Sequence, residues 1–393
     1  MKKEKLKASV ITAVDAHQEK LAELSAEIHG NPETGFQEIK ASGWLTDYLK
    51  ENGFRVETGI CELPTSFIAR YGKGRPVIAL IAEYDALPGL GHACGHNLIG
   101  TSAVGAAVAV KEVVDTCQGS IWVVGTPAEE LYGGKITMVE RGAFADVDLA
   151  MMVHPGGANT ATTSFLACQT LDVIFLGKAA HAAASPEEGI NALEAMLLSF
   201  AGINSLRQHI KDKARIHGVI TEGGEAPNIV PARSAGSFIV RAEEDVYLQE
   251  LKEKVLNCFK GAASATGATL EYRWGEVTYA ALRNNMTLAR LFRGNMQLLG
   301  RKMHLHDPKR GFGSSDMGNV SQLVPGIHPT VTISSSGVLL HSPEFARAAA
   351  SETGLKGMLD AAKAMAMTVV DLLANPDVFH EVREEFNFGK KAK

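Results

Sequence analysis

A chain of 393 residues is longer than one ordinary hydrophobic core organises, so two domains are expected. Its 46% hydrophobic and 21% charged residues match a globular enzyme, and a net charge of −5 offers no basic footprint for nucleic acid. No apolar run reaches the length of a membrane span, and the Lys-rich start leads into an amphipathic helical pattern instead of a signal-peptide core. Five irregularly spaced cysteines (Cys61, Cys94, Cys117, Cys168, Cys258) fit a reducing, cytoplasmic setting better than a disulfide framework.

Apolar positions at helical spacing (Val10, Ile11, Val14, Leu21, Leu24, Ile28) predict a helix over 8–29, stopped at His29-Gly30-Asn31-Pro32. A second helix is expected over 38–52. Runs 66–71 and 77–82 read as strands, the latter nearly all apolar, as a buried central strand is. An Ala- and Gly-rich helix over 97–114 should pack closely on a sheet. Strand 121–125 leads into Thr126-Pro127-Ala128-Glu129-Glu130, a short helix ends at Arg141-Gly142, and strand 148–153 delivers His154.

From residue 170 the pattern changes to strand 170–176, helix 189–209, strands 214–221 and 234–242, helix 245–265 and strand 268–275. That β-α-β-β-α-β order is the split, ferredoxin-like arrangement. Residues 330–335 again read as a buried strand and 361–373 as a docked helix, so the unit interrupts the first domain. The expectation is an α/β catalytic domain built from 1–169 and 283–393, with a lid inserted at 170–282. The tail 389–393 should fray.

Chemistry concentrates in Gly91-His92-Ala93-Cys94-Gly95-His96-Asn97 and the Glu129-Glu130 pair. Cys94 and His96 can converge on one ion if the backbone turns between them. Two adjacent carboxylates can divide labour, one binding metal and the other moving protons, although such a pair also suits a solvated helix face. Glu129, Glu130 and His154 each follow a predicted strand, and Cys94 and His96 lie on the loop after another, the edge where open α/β sheets build sites.

Cys94, His96, Glu130, His154 and His341 supply enough donors for two metal ions, of types suited to zinc, manganese or nickel. Taken alone, His154 and His341 read first as packing or surface histidines, although His-Pro directly after a buried strand sets His154 apart. Glu129 is the natural general base, because an uncoordinated carboxylate beside a metal-activated water can carry its proton to a leaving amine. Asp85 could orient a ligand imidazole or simply make a turn, and His92 could stand behind the ligands. No role is read for His17, His209, His217, His304, His306, His328 or His380.

These residues resemble the metallopeptidase family that includes aminoacylase, the glutamate-releasing carboxypeptidases and succinyl-diaminopimelate desuccinylase, in its Cys-Gly-His amidohydrolase branch. The motifs run through the chain: His29-x-x-Pro32-Glu33, Asp85-Ala-Leu-Pro88, Cys94-Gly-His96, Pro127-Ala-Glu-Glu130, Gly177-Lys-Ala-Ala-His181 and Asn228-Ile-Val-Pro231. Asn97 stands where that branch usually has aspartate. Cys94-Gly-His-Asn-Leu-Ile-Gly100, Gly313-Ser-Ser-Asp-Met-Gly-Asn-Val320 and Pro325-Gly-Ile-His-Pro329 look like the p-aminobenzoyl-glutamate hydrolase B-subunit group and its animal relative acting on β-alanyl dipeptides.

The resemblance implies a mixed-sheet, zinc-exopeptidase-like catalytic domain with a ferredoxin-like α+β lid through which a homodimer forms. It makes Cys94, His96, Glu130, His154 and His341 the ligands of two divalent ions, Cys94 bridging them, and Glu129 the base. It gives His181 the task of polarising the scissile carbonyl, often across a dimer, and makes Asn228 and Arg241 substrate-holding residues, Arg241 for the carboxylate. The implied reaction is hydrolysis of the amide bond in small N-acyl or aminoacyl amino-acid conjugates, with an N-acyl-amino-acid deacetylase as the neighbouring alternative. Rivals of other classes are a catalytically silent binder of such conjugates and a protein with one structural zinc on Cys94 and His96. Retention of Glu129 beside the full donor set argues against the silent binder.

Overall fold

A computed structural model of the chain describes residues 2–306, 313–335 and 337–391. It divides into two units: Phe165–Ala281 with 313–314 form the second, and the remaining described residues the first. In chain order the strands are β1 (Arg55–Thr58), β2 (Phe67–Lys73), β3 (Val77–Ala82), β4 (Gly119–Gly125), β5 (Leu149–Met151), β6 (His154–Gly156) and β7 (Ala167–Leu176). There follow β8 (Arg215–Glu222), β9 (Arg233–Ala242), β10 (Thr269–Trp274), β11 (Gly326–Ile327) and β12 (Thr330–Thr332).

The first unit carries a mixed six-stranded sheet of order β1-β2-β4-β3-β5-β11. Its β1–β2 and β2–β4 pairs are antiparallel, while β4, β3, β5 and β11 run parallel. Every residue of β3 is buried, which explains its unbroken apolar run. The helix His96–Ala109 is buried along its whole length and packs on β3 and on the helices Lys2–Ala16, Gln18–Gly30 and Glu352–Leu373. A helix apolar or small on all sides belongs inside a core, and this one links the sheet to the outer helices. Among the described residues no single helix is long and apolar enough to cross a membrane.

Several elements depart from the sequence expectation. The helix expected over 8–29 is two, Lys2–Ala16 and Gln18–Gly30. They part at His17, whose Nδ1 lies 2.9 Å from the Tyr48 hydroxyl. The helix expected over 97–114 breaks at Val110 into His96–Ala109 and Lys111–Cys117. Strand 148–153 stops at Met151: Met152 and Val153 cross to a separate two-stranded parallel sheet, so His154 begins β6 opposite Thr330 of β12. The helix expected over 361–373 starts earlier, at Glu352, where the Ser351 side chain caps it by accepting from Gly354 N. The tail is helical over Pro376–Lys391, and residues 392–393 lie outside the described part.

The second unit is a four-stranded antiparallel sheet of order β10-β7-β9-β8, with the helices Ala192–Leu206 and Asp245–Thr266 packed on each other and on the sheet. This is the ferredoxin-like order that β-α-β-β-α-β connectivity produces. Exposure alternates strictly along β9, whose buried Phe238 meets Phe259 of the longer helix at a ring separation of 4.9 Å. One face of the sheet is thereby buried under helices.

Candidate metal centre

Because β3, β4 and β5 are parallel, their C-terminal ends at Ala82, Gly125 and Met151 share one edge, and the segments leaving it carry the chemistry. Past β3, the carboxylates of Glu83 and Asp85 are buried. Asp85 Oδ1 is 2.9 Å from His96 Nδ1, so the opposite nitrogen, Nε2, faces the site. Its other oxygen accepts from the backbone N–H of Glu130 at 3.0 Å. One carboxylate thus orients two prospective ligands, as the partners standing behind metal ligands do.

Gly95 joins Cys94 to His96 with φ of +77°, and a Cβ there would stand 2.5 Å from Pro155 Cγ. Only glycine makes this left-handed turn in that space, which brings the thiol and imidazole together. Cys94 Sγ lies 3.5 Å from His154 Nε2. The ring of His154 is fixed by donation from Nδ1 to the Pro155 carbonyl at 2.6 Å. Past β4, Ala128 takes φ of +62° and its N–H donates to the buried carboxylate of Glu38 at 2.8 Å. Glu129 and Glu130 follow. Glu130 Oε1 is 3.8 Å from His96 Nε2 and 3.5 Å from Nε2 of the half-exposed His341, which arrives with φ of +61°.

Donor atoms lying within 4.8 Å of one another form three overlapping groups: Cys94, His96 and His154; Cys94, Glu130 and His341; and His96, Glu129 and Glu130. All five prospective ligands and Glu129 are therefore brought together. Among the described residues, His96 Nε2, Glu130 Oε1 and Glu83 Oε2 are buried without hydrogen-bond partners, a costly state for protein alone and the expected one for atoms directed at a cation. Thiol, imidazole and carboxylate donors suit a borderline transition metal.

The electrostatics have the same sense. Burial raises Glu129 well above the usual carboxylate range, and the negative charges of Glu83, Asp316 and Glu130 add to it. Burial likewise pushes the Cys94 thiol up, against the pull of His96. His96 is raised because Asp85 and Cys94 outweigh its desolvation, whereas burial and the His96 charge push His154 down to about 4. Glu130 is held near 2, burial being overcome by the nearby imidazoles of His341 and His96. A divalent cation would displace the protons that Cys94 and His96 otherwise retain.

Sequence reasoning missed several neighbours. His328 is buried with its ring stacked on His154 at 5.4 Å, and Lys135 is a fully buried lysine that pairs with Glu83 and Asp316. Asp316 lies inside a motif already noted, whereas Lys135 carried no local signal. In the second unit, Nδ1 of the exposed His181 accepts from Ala183 N and Ala184 N at 3.3 and 3.1 Å, leaving Nε2–H as a donor. Asn228, also exposed, is its neighbour: the Asn228 carbonyl accepts from Ala182 N at 3.0 Å. Arg241 bonds Ser314 Oγ at 2.7 Å and makes no ion pair to a carboxylate among the described residues.

A mixed sheet carrying a thiol–imidazole–carboxylate cluster, with a ferredoxin-like insertion, defines a metallo-amidohydrolase. The residue pattern of peptidase family M20/M25/M40 matches residues 79–369, and the chain belongs to that family. It is 37% identical to the Xaa-Arg dipeptidase of Mus musculus over 98% of this chain and 92% of that protein. It is 31% identical to the B subunit of p-aminobenzoyl-glutamate hydrolase from Escherichia coli (strain K12), over 95% of this chain and 93% of that protein. Its fold matches that of the Bacillus subtilis YXEP protein, described as a dinuclear metal binding peptidase, with a TM-score of 0.75 and 20% identity, covering 92% of this chain and 99% of that one.

Proposed function

We propose that this protein hydrolyses the amide bond of dipeptides and of N-acyl or aminoacyl amino-acid conjugates, using two metal ions held by Cys94, His96, Glu130, His154 and His341. The observation that carries this reading is the sharing of Cys94 between two donor groups, one with His96 and His154 and the other with Glu130 and His341. Bound there, the ions supply Lewis acidity, polarising the scissile carbonyl and making water acidic near neutral pH. The sulfur and three imidazoles favour zinc or nickel, with manganese as a harder alternative.

Glu129 takes the proton from the attacking water and delivers it to the departing amine. Its burial among Glu83, Asp316 and Glu130 makes it a strong base for a carboxylate. Asp85 holds the imidazole of His96 and the backbone of Glu130 in register. His181, with Nδ1 occupied by two backbone N–H groups, offers Nε2–H to the oxyanion. Asn228 holds substrate, and the planar guanidinium of Arg241 recognises its carboxylate.

The exposed apolar residues of edge strand β8, Val219 and Ile220, together with Leu197 and Leu198 on the helix Ala192–Leu206, support a homodimer formed through the second unit. All five cysteines are unpaired, which supports a cytoplasmic setting.

The relatives' names direct the choice of substrates, dipeptides ending in arginine and p-aminobenzoyl-glutamate, and N-acyl amino acids test the deacetylase alternative. The metal-loaded protein should release free amino acid from at least one class. Chelation should abolish this activity and added metal restore it. Failure on the whole panel by protein holding two ions would favour the silent binder.

A further inference from the structure

Behind the metal centre lies a group of buried charges to which the catalytic reading gives no part in holding metal. Lys135, fully buried on the helix Gly134–Glu140, directs its ammonium to Glu83 Oε1 and to Asp316 Oδ1, the latter at 2.8 Å. Its backbone N–H donates to Asp316 Oδ2 at 2.9 Å, so Asp316 grips the residue twice. A buried ammonium needs such partners, but this pairing satisfies only one oxygen of Glu83.

The other oxygen, Oε2, is buried without a hydrogen-bond partner among the described residues and stands 3.6 Å from His96 Nε2, itself without one there. A direct charge-assisted bond would bring such atoms to about 2.7–2.9 Å. The observed gap instead approaches the separation of roughly 3.4 Å between two donors on one tetrahedral ion with bonds near 2.1 Å. With Asp85 occupying Nδ1 of His96 and Lys135 occupying Oε1 of Glu83, only Nε2 and Oε2 remain to face each other.

We propose that Glu83 is a further carboxylate donor to the ion held by His96, and that Lys135, fixed by Asp316, is the positioning residue that aims its free oxygen. The inference rests on the two-ion reading above. Lys135 draws away the oxygen that would otherwise let Glu83 rotate, and its charge offsets part of the repulsion among Glu83, Asp316 and Glu129.

The test is metal titration of the full chain with Co(II), read by its d–d absorption and by elemental analysis, for the wild type, His96→Ala, Glu83→Gln and Glu83→Asp. Glu83→Asp keeps a carboxylate beside Lys135 and so preserves the folded core, while withdrawing the free oxygen from His96. Both Glu83 variants should bind the His96 ion about tenfold or more weakly, with altered Co(II) bands, while circular dichroism remains that of the wild type. Wild-type affinity and an unchanged spectrum in Glu83→Asp would overturn the proposal while leaving the two-ion reading intact. If His96→Ala retained both ions, the reading of the centre itself would fail, and the role of Glu83 with it.

Discussion

Asp85 commits one oxygen to His96 and the other to the backbone of Glu130, while Glu38 holds the N–H of Ala128. The backbone N–H groups of the residues on either side of Glu129 are thus gripped by buried carboxylates, and Glu38 does so under electrostatic strain. Burial pushes it up to about 7, and the Asp85 charge adds to this against the hydrogen bonds from Thr65 and Ala128. Unfolded, it titrates near 4.5. The fold therefore favours the protonated carboxyl, a contribution complete below the unfolded value and lost as pH rises through 7. In metal-free protein Glu38→Gln should gain on the wild type by roughly 2–3 kcal/mol between about pH 5 and pH 8, as measured by urea unfolding. A difference between the two proteins that does not change with pH would contradict this account of Glu38.

The residues legible in the sequence are those whose partners are close in the chain or whose motif is local: Cys94 with His96, and Glu129 with Glu130. Lys135 is not legible, because its partners Glu83 and Asp316 lie 52 and 181 residues away and only folding reveals them. His328 escapes a sequence reading for the same reason: its neighbour His154 is reached through the pairing of β6 with β12.

At the scale of elements, the turn between β4 and the helix Gly134–Glu140 decides where both glutamates sit. A Cβ on Gly134 would fall 1.9 Å from the carbonyl oxygen of Pro127, so Gly134→Ala must displace the segment that carries Glu129 and Glu130. It should cost about 1–3 kcal/mol in thermal unfolding and weaken metal binding as Glu130 moves. Wild-type stability with wild-type metal affinity would show that the turn absorbs the methyl group. Element types are readable from apolar periodicity, because strand and helix periods differ. The breaks at His17 and Val110 are not, since neither is a helix breaker: His17 meets Tyr48, far off in the chain, and Val110 is wholly buried. The early end of β5 is likewise hidden, because the apolar run 149–153 continues past the last paired residue, Met151, up to the start of β6.

Over the whole molecule, two units with separate cores divide the proposed work: metal and base chemistry in the first, substrate recognition in the second. If His181 serves a partner's site, as the family resemblance implies, mixing inactive His181→Ala and Glu129→Gln protomers should restore part of the activity. Each mixed dimer would contain one site with both residues intact. No recovery after verified protomer exchange would mean that each chain builds its site alone. The central claim concerns Glu129, which stands close enough to His96 and Glu130 to be a ligand but is assigned the proton instead. The most direct measurement is the metal content and turnover of Glu129→Gln side by side. The account predicts two ions retained and turnover reduced by about 10²–10⁴-fold. Preserved turnover, or loss of metal in step with activity, would contradict it.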